Sequence, residues 1–190
     1  MTLVGDSSEA DMDIAMPMFQ IGFKCEPTGR GEEAIRQEIV GDLAAEALFG
    51  ESSELYLRLY EEGIIDSSFG GGFETIDGMA LLLCSGDSYE SDRVRDALIE
   101  QAQKIVREGI PEDAFLRMKR SAFGRRIRDL DSFDSTCFRL CAYHLSDFDY
   151  FDFPEVYSRV EPGEVQEFLR RVVRAERCSL SLINPLKEAM

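Results

Sequence analysis

Between residues 52 and 87 the chain reads SSELYLRLYEEGIIDSSFGGGFETIDGMALLLCSGD, an amphipathic helix that breaks at Gly63 straight into two apolar strands. Leu55, Tyr56 and Leu59 recur at three- and four-residue spacing, which gives the helix one apolar stripe, and Gly63 after Glu61 and Glu62 is a helix stop. Ile64, Ile65, the small-residue stretch 67–72 and then residues 73–76 predict a strand that lets another backbone come close, since glycines hold nothing off. Asp77-Gly78 is a hairpin signal. Residues 79–84 are six apolar residues in a row, a pattern suited to a strand buried on both faces.

The rest of the chain supplies elements for that hairpin to pack against. A first strand is predicted over 16–25, then the turn EPTGRG and a helix over 32–49 with Ile35, Ile39 and Leu43 on its inner face. Ser88 to Ser91 introduce a helix over 92–108, and Gly109-Ile110-Pro111 separates it from a further helical stretch, AFLRMKRSAFGRRIRDL. A helix over 131–144, the connector LSDFDYFDFPEVYSRV with its phenylalanines inward, a helix over 165–174 and a strand over 178–183 complete the order. Strands at both ends, a hairpin near the middle and helices between them predict an α+β fold, an antiparallel-type mixed sheet with helices packed on one face. Residues 15–190 read as a single domain, and 1–14, polar and acidic, as a mobile N-terminal segment or linker remnant.

Charge narrows the function classes. With 37 acidic against 21 basic residues the net charge is -16, which excludes nucleic acid as an expected partner because phosphate neutralisation needs an excess of Lys and Arg. The local basic run Arg117, Lys119, Arg120, Arg125, Arg126 and Arg128 is read as a solvated helix face laced with ion pairs, and Phe115, Leu116 and Phe123 as its apolar stripe. No apolar stretch approaches the ~18 to 20 residues needed to span a bilayer. Five scattered cysteines without a C-x-x-C pair suit a reducing, cytoplasmic setting.

Catalytic motifs are sparse. His144 is the single histidine, so neither H-x-x-E-H nor H-E-x-x-H can be assembled. Cys137, Cys141 and His144, spaced by four and three residues, form the one candidate metal constellation, with Asp147 or Asp149 as a fourth ligand; the plainer reading is two small buried cysteines in a helix interface beside a polar histidine. Gly70-Gly71-Gly72 lacks the continuation of a phosphate loop.

Ser53, Leu55, Leu59, Tyr60, Glu61, Gly63, Ile64, Asp66 and Ser67 follow a pattern, S-x-L-x-x-x-L-R-E-x-G-L-x-Y-S, that resembles the second-half domain of the insulinase and pitrilysin-type (inverzincin) zinc peptidases, the group that includes mitochondrial processing peptidase. The order of elements extends the resemblance over nearly the whole chain. It implies one half of a clamshell: a non-catalytic C-terminal half that forms one wall of a peptide-binding chamber and closes on a zinc-bearing half or partner subunit. Zinc is then expected in that other half and no cofactor in this one. The expected substrate is a peptide or protein, a homodimer is a further arrangement to consider, and no hydrolysis is expected from this chain alone. In active relatives an Arg and a Tyr of this half reach the substrate, whereas here Tyr60 stands at the Arg position and Asp66 at the Tyr position. A phenol can donate a hydrogen bond to a peptide carbonyl but lacks the guanidinium's fixed charge. The plain alternative is that Tyr60 packs in the helix stripe and Asp66 bonds a turn. The substrate-binding candidates are Tyr60, Asp66, Ser67, Gly71 and Phe73, with an extended peptide adding at the sheet edge near 67–73. A catalytically inactive binding or assembly subunit of the same fold is the alternative function.

Overall fold

The computed structural model describes residues 7–76 and 78–186. Five strands, β1 (Ser7–Met12), β2 (Met18–Lys24), β3 (Gly70–Ile76), β4 (Met79–Asp87) and β5 (Cys178–Pro185), form one sheet in the order β1-β5-β2-β4-β3. β1 runs parallel to β5 and every other pair is antiparallel, so the sheet is mixed. Among the described residues seven α-helices, α1 (Glu32–Phe49), α2 (Glu54–Glu61), α3 (Ser91–Glu108), α4 (Glu112–Asp129), α5 (Phe133–Leu145), α6 (Phe153–Arg159) and α7 (Pro162–Val172), complete the α+β fold.

β2 and β4 alternate. Phe19, Ile21 and Phe23 of β2 and Ala80, Leu82 and Cys84 of β4 point into the core, while Met18, Gln20, Met79 and Ser85 are exposed on the opposite face. The helices therefore cover one face, as the pattern predicts. β4 corrects the expectation of a strand buried on both faces: Leu81 and Leu83 are only half-buried, because no helix among the described residues covers their side of the sheet. Against the inner face α1 lays Ile35, Ile39, Leu43 and Leu48, each with no exposed surface. Complete burial of such a side chain contributes roughly 1.5–3 kcal/mol.

Local signals set the ends of the helices. Ser53 accepts a hydrogen bond from the Tyr56 amide at 3.1 Å to start α2, and Gly63, at φ 68°, turns the chain after it. Ile64 and Ile65 then fold back instead of extending, their backbone N–H groups donating to the Leu59 carbonyl, so the strand expected from residue 64 begins at Gly70. Asp77 lies outside the described residues, and Gly78 sits at φ 78° between β3 and β4. Residues 1–6 also lie outside the described residues. Over Ser7–Met12 the expected mobile segment is replaced by β1, whose six exposed side chains gave no apolar signal and which pairs with β5 through its backbone.

Candidate functional site

Among the described residues β3 is the outermost strand on its side of the sheet, paired with β4 alone, so half of its backbone N–H and C=O groups point away from the ladder. Helices wall this open edge. A groove of about 870 Å³ runs along Gly70, Gly71 and Gly72, with Ala45 and Phe49 of α1 and Ala122 of α4 across from them. A second, of about 680 Å³, continues past Phe73 and Thr75 toward Phe138 and Ala142 of α5. Arg139 borders both grooves, and the two together are the trough beside β3. Gly70 to Thr75 covers roughly 20 Å at about 3.3 Å per residue, the length of an ordinary strand.

The three glycines differ in why they are glycine. A Cβ on Gly71 would overlap the Leu83 carbonyl oxygen and come within 2.6 Å of the Cys84 Cα, so β4's backbone passes where a side chain would be. Close backbone approach, expected of this stretch, thus occurs inside the sheet. At Gly70 and Gly72 a Cβ would meet nothing within 4 Å, so packing within the chain does not demand glycine there. Phe73 anchors the strand: its ring lies 5.9 Å from that of Phe168 and fills the space left by Gly41, whose Cβ would fall within 2.8 Å of the Phe73 Cδ1.

The helical wall of the trough is charged. Arg126 of α4, 5% exposed, binds Glu38 at 2.5 Å and Asp42 at 3.4 Å, both from α1, and its guanidinium lies over the rings of Phe153 and Tyr157 at 5.9 and 5.8 Å. The Tyr143 hydroxyl donates to Glu38 from the other side. Arg139 bonds Asp129 at 3.0 Å and Arg125 bonds Glu46 at 3.0 Å. Burial, then the neighbouring Glu38, push Asp42 up to about 7 against the pull of Arg126. Because this folded pKa lies above the unfolded value of about 3.9, the folded chain keeps a proton that the unfolded chain releases between about pH 4 and 7. Stability attributable to Asp42 is present below that window and is lost as pH rises through it. Urea denaturation across pH 4.5 to 8 should therefore show a flatter pH dependence in Asp42→Asn than in the wild type. The side chain is 36% exposed, so solvent screening reduces the expected difference to about 1 kcal/mol.

Of the candidate residues, the structure places Gly71 and Phe73 on the trough, whereas Tyr60, Asp66 and Ser67 lie outside both grooves. Tyr60 is half exposed at the end of α2 and stacks on Tyr56 at 5.8 Å, rather than packing in the buried stripe. Asp66 accepts the Ser68 amide at 2.7 Å, and bonding from Ser68 holds its carboxyl below the usual range. Ser67 is exposed in the same turn. Sequence reasoning missed Arg126, which it assigned to a solvated face. The stripe of α4 is Phe115, Ala122 and Arg126, spaced seven and four, while Leu116 is 40% exposed; that spacing was the available signal. Cys137 and Cys141 are exposed, not buried, because α5 turns Leu140 and Tyr143 toward the core instead. Among the described residues no three His, Cys, Asp or Glu side chains are grouped to hold a metal ion, so these residues do not fit a zinc site. Burial pushes the Cys25 thiol up to about 12 and the Cys178 thiol to about 11, which keeps both protonated near neutrality. No helix among the described residues is long and apolar enough to cross a membrane.

Comparison with known proteins agrees with this architecture. An M16-like peptidase from Alicyclobacillus acidocaldarius has the same fold, with a TM-score of 0.86 at 21% identity over 95% of this chain and 44% of that one. A peptidase M16 inactive domain from Pseudomonas fluorescens superposes with a TM-score of 0.69 at 11% identity, over 97% of this chain and 44% of that one. In sequence, the uncharacterized zinc protease YmfH of Bacillus subtilis is 26% identical over 180 residues, 93% of this chain and 41% of the relative, so the chain spans well under half of that protein. The family described as peptidase M16 inactive domain matches residues 5–122, more than half of the chain and the part that holds the Ser53 to Ser67 pattern and the β3–β4 hairpin. The chain therefore belongs to the peptidase M16 inactive-domain family, the C-terminal half of the M16 peptidases.

Proposed function

We propose that this chain forms one wall of the peptide chamber of a zinc peptidase and closes on a zinc-bearing half outside it, with a peptide or protein segment adding as a sixth strand along β3. The observation that carries the reading is the trough beside an unpaired edge, bordered by two glycines, Gly70 and Gly72, that packing within the chain leaves unexplained. A peptide there would take its affinity from main-chain hydrogen bonds, with little demand on sequence. Gly71 and Phe73 hold the edge in position; Tyr60, Asp66 and Ser67, exposed in the segment that leads into β3, would meet the peptide only beyond the trough, with the Tyr60 hydroxyl as a donor to a peptide carbonyl. In this reading residues 15–190 act as one domain with β1 added at its edge, and zinc belongs to the other half. Five free cysteines, three of them buried, suit the cytoplasm.

Reconstitution tests the proposal. The chain alone should leave a fluorogenic peptide uncut, and mixing it with a polypeptide bearing H-x-x-E-H should yield hydrolysis that a chelator abolishes. Tyr60 and Asp66, in place of Arg and Tyr, favour a second reading, a binding or assembly subunit without a catalytic contribution. A stable complex whose hydrolysis rate matches that of the zinc-bearing half alone would establish this second reading and sink the first. The same mixtures, run by size exclusion, separate pairing with the zinc-bearing half from self-association into a homodimer.

A further inference from the structure

We propose that the trough selects a peptide strand carrying a carboxylate side chain, received by Arg128 and Arg139 where the strand passes Gly70 to Gly72. This rests on the reading that a peptide pairs with the β3 edge, and adds the chemistry that such a peptide carries. The chain as a whole has 37 acidic and 21 basic residues, yet four arginines, Arg125, Arg126, Arg128 and Arg139, converge on the 870 Å³ groove. Its acids are Asp42, Glu46, Glu51 and Asp129, so charge there is near balance in an otherwise strongly negative protein. Asp42, pushed up to about 7, carries only part of its charge near neutrality, which tips the balance toward the arginines.

The arginines are not equally available. Arg126 is buried against Glu38 and Asp42, and Arg125 is bound to Glu46. Arg128 is exposed and holds no carboxylate among the described residues. Arg139 bonds one oxygen of Asp129 at 3.0 Å, while Glu38 stands 4.0 Å away, beyond hydrogen-bond reach, so most of its five N–H donors remain open. A guanidinium grips a carboxylate through two parallel bonds, whereas a glutamine side chain offers one acceptor oxygen. Side chains of an added strand alternate between faces, so an acid at every second position keeps returning to this wall and a shift by one residue turns it away.

Fluorescence anisotropy of the full chain with two labelled ten-residue peptides, alike except for Glu or Gln at the fifth and seventh positions, tests this. The Glu peptide should bind about tenfold more tightly at low salt, the effect of roughly one charge-assisted hydrogen bond. The gap should narrow as salt is raised. Arg128→Gln, at an exposed and unpaired site that leaves the fold intact, should remove part of the difference, and Arg128→Gln with Arg139→Gln should remove the rest while the Gln peptide binds as before. Equal binding of the two peptides to the wild type would overturn the acidic preference and leave pairing at β3 standing. Binding of neither would overturn both.

Discussion

Arg126→Met is expected to lower the unfolding free energy by about 3 kcal/mol, because removing one member of a buried charge cluster leaves the others without compensation. Glu38 and Asp42 of α1 both face this guanidinium, at 2.5 and 3.4 Å, and Glu38 also receives the Tyr143 hydroxyl. Burial opposes the charge on Arg126, yet Glu38 and the surrounding tyrosines and Asp42 outweigh it and raise its pKa above the ordinary value. Methionine fills the space under the rings of Phe153 and Tyr157 but leaves two carboxylates repelling each other. Acid should then help the variant more than the wild type, since protonating either carboxylate relieves the repulsion. Glu38→Gln in the same background should restore part of the loss, as the amide oxygen still accepts the Tyr143 hydroxyl. Urea denaturation at pH 5 and pH 8 checks both statements, and a variant with wild-type stability at pH 8 would show that the cluster is not a structural tie between α1 and α4.

A comparable loss, about 3 kcal/mol, is expected from Gly71→Ala, at the severe end of small-to-large changes because the obstruction is backbone. The added methyl would overlap the Leu83 carbonyl and crowd the Cys84 Cα, and neither can swing aside as a flexible side chain would. Relief requires β3 to part from β4 locally. Gly70→Ala and Gly72→Ala form the internal control: with nothing within 4 Å of either Cβ, each should change stability by less than about 0.5 kcal/mol, with a small gain from the stiffer unfolded chain. The same two substitutions should weaken peptide binding at the edge. If all three alanine variants unfold alike, the close approach of β3 and β4 at Gly71 is wrong.

What could be read from the sequence followed the apolar periodicity. Ile35, Ile39 and Leu43 marked α1 over the residues it occupies, and the final strand and the hairpin were visible for the same reason: their side chains enter the core and leave a pattern. β1 left none, since SSEADM is exposed throughout and backbone pairing with β5 alone defines it. Ile64 and Ile65 misled in the opposite sense, being apolar and buried without being extended. At the site, the special character of 67–73 was legible as glycine content, but the division between Gly71 and its neighbours depends on where β4 runs. Arg126 depends on a partner 88 residues earlier, which no local window contains.

The parallel pairing of β1 with β5 determines how the fold bears load. β1 enters at Ser7 beside Leu180 and β5 leaves at Pro185 beside Met12, so tension applied to the chain on either side of these strands slides them past each other along their length. In that geometry the ladder bonds between the two strands resist together, whereas peeling an antiparallel hairpin breaks them one at a time. β1, which contributes no buried side chain, thereby acts as a mechanical clamp on the sheet. When β1 and β5 are pulled in opposite directions, the load passes between these two strands, and the β2–β4–β3 side that carries the open edge is spared until their ladder fails.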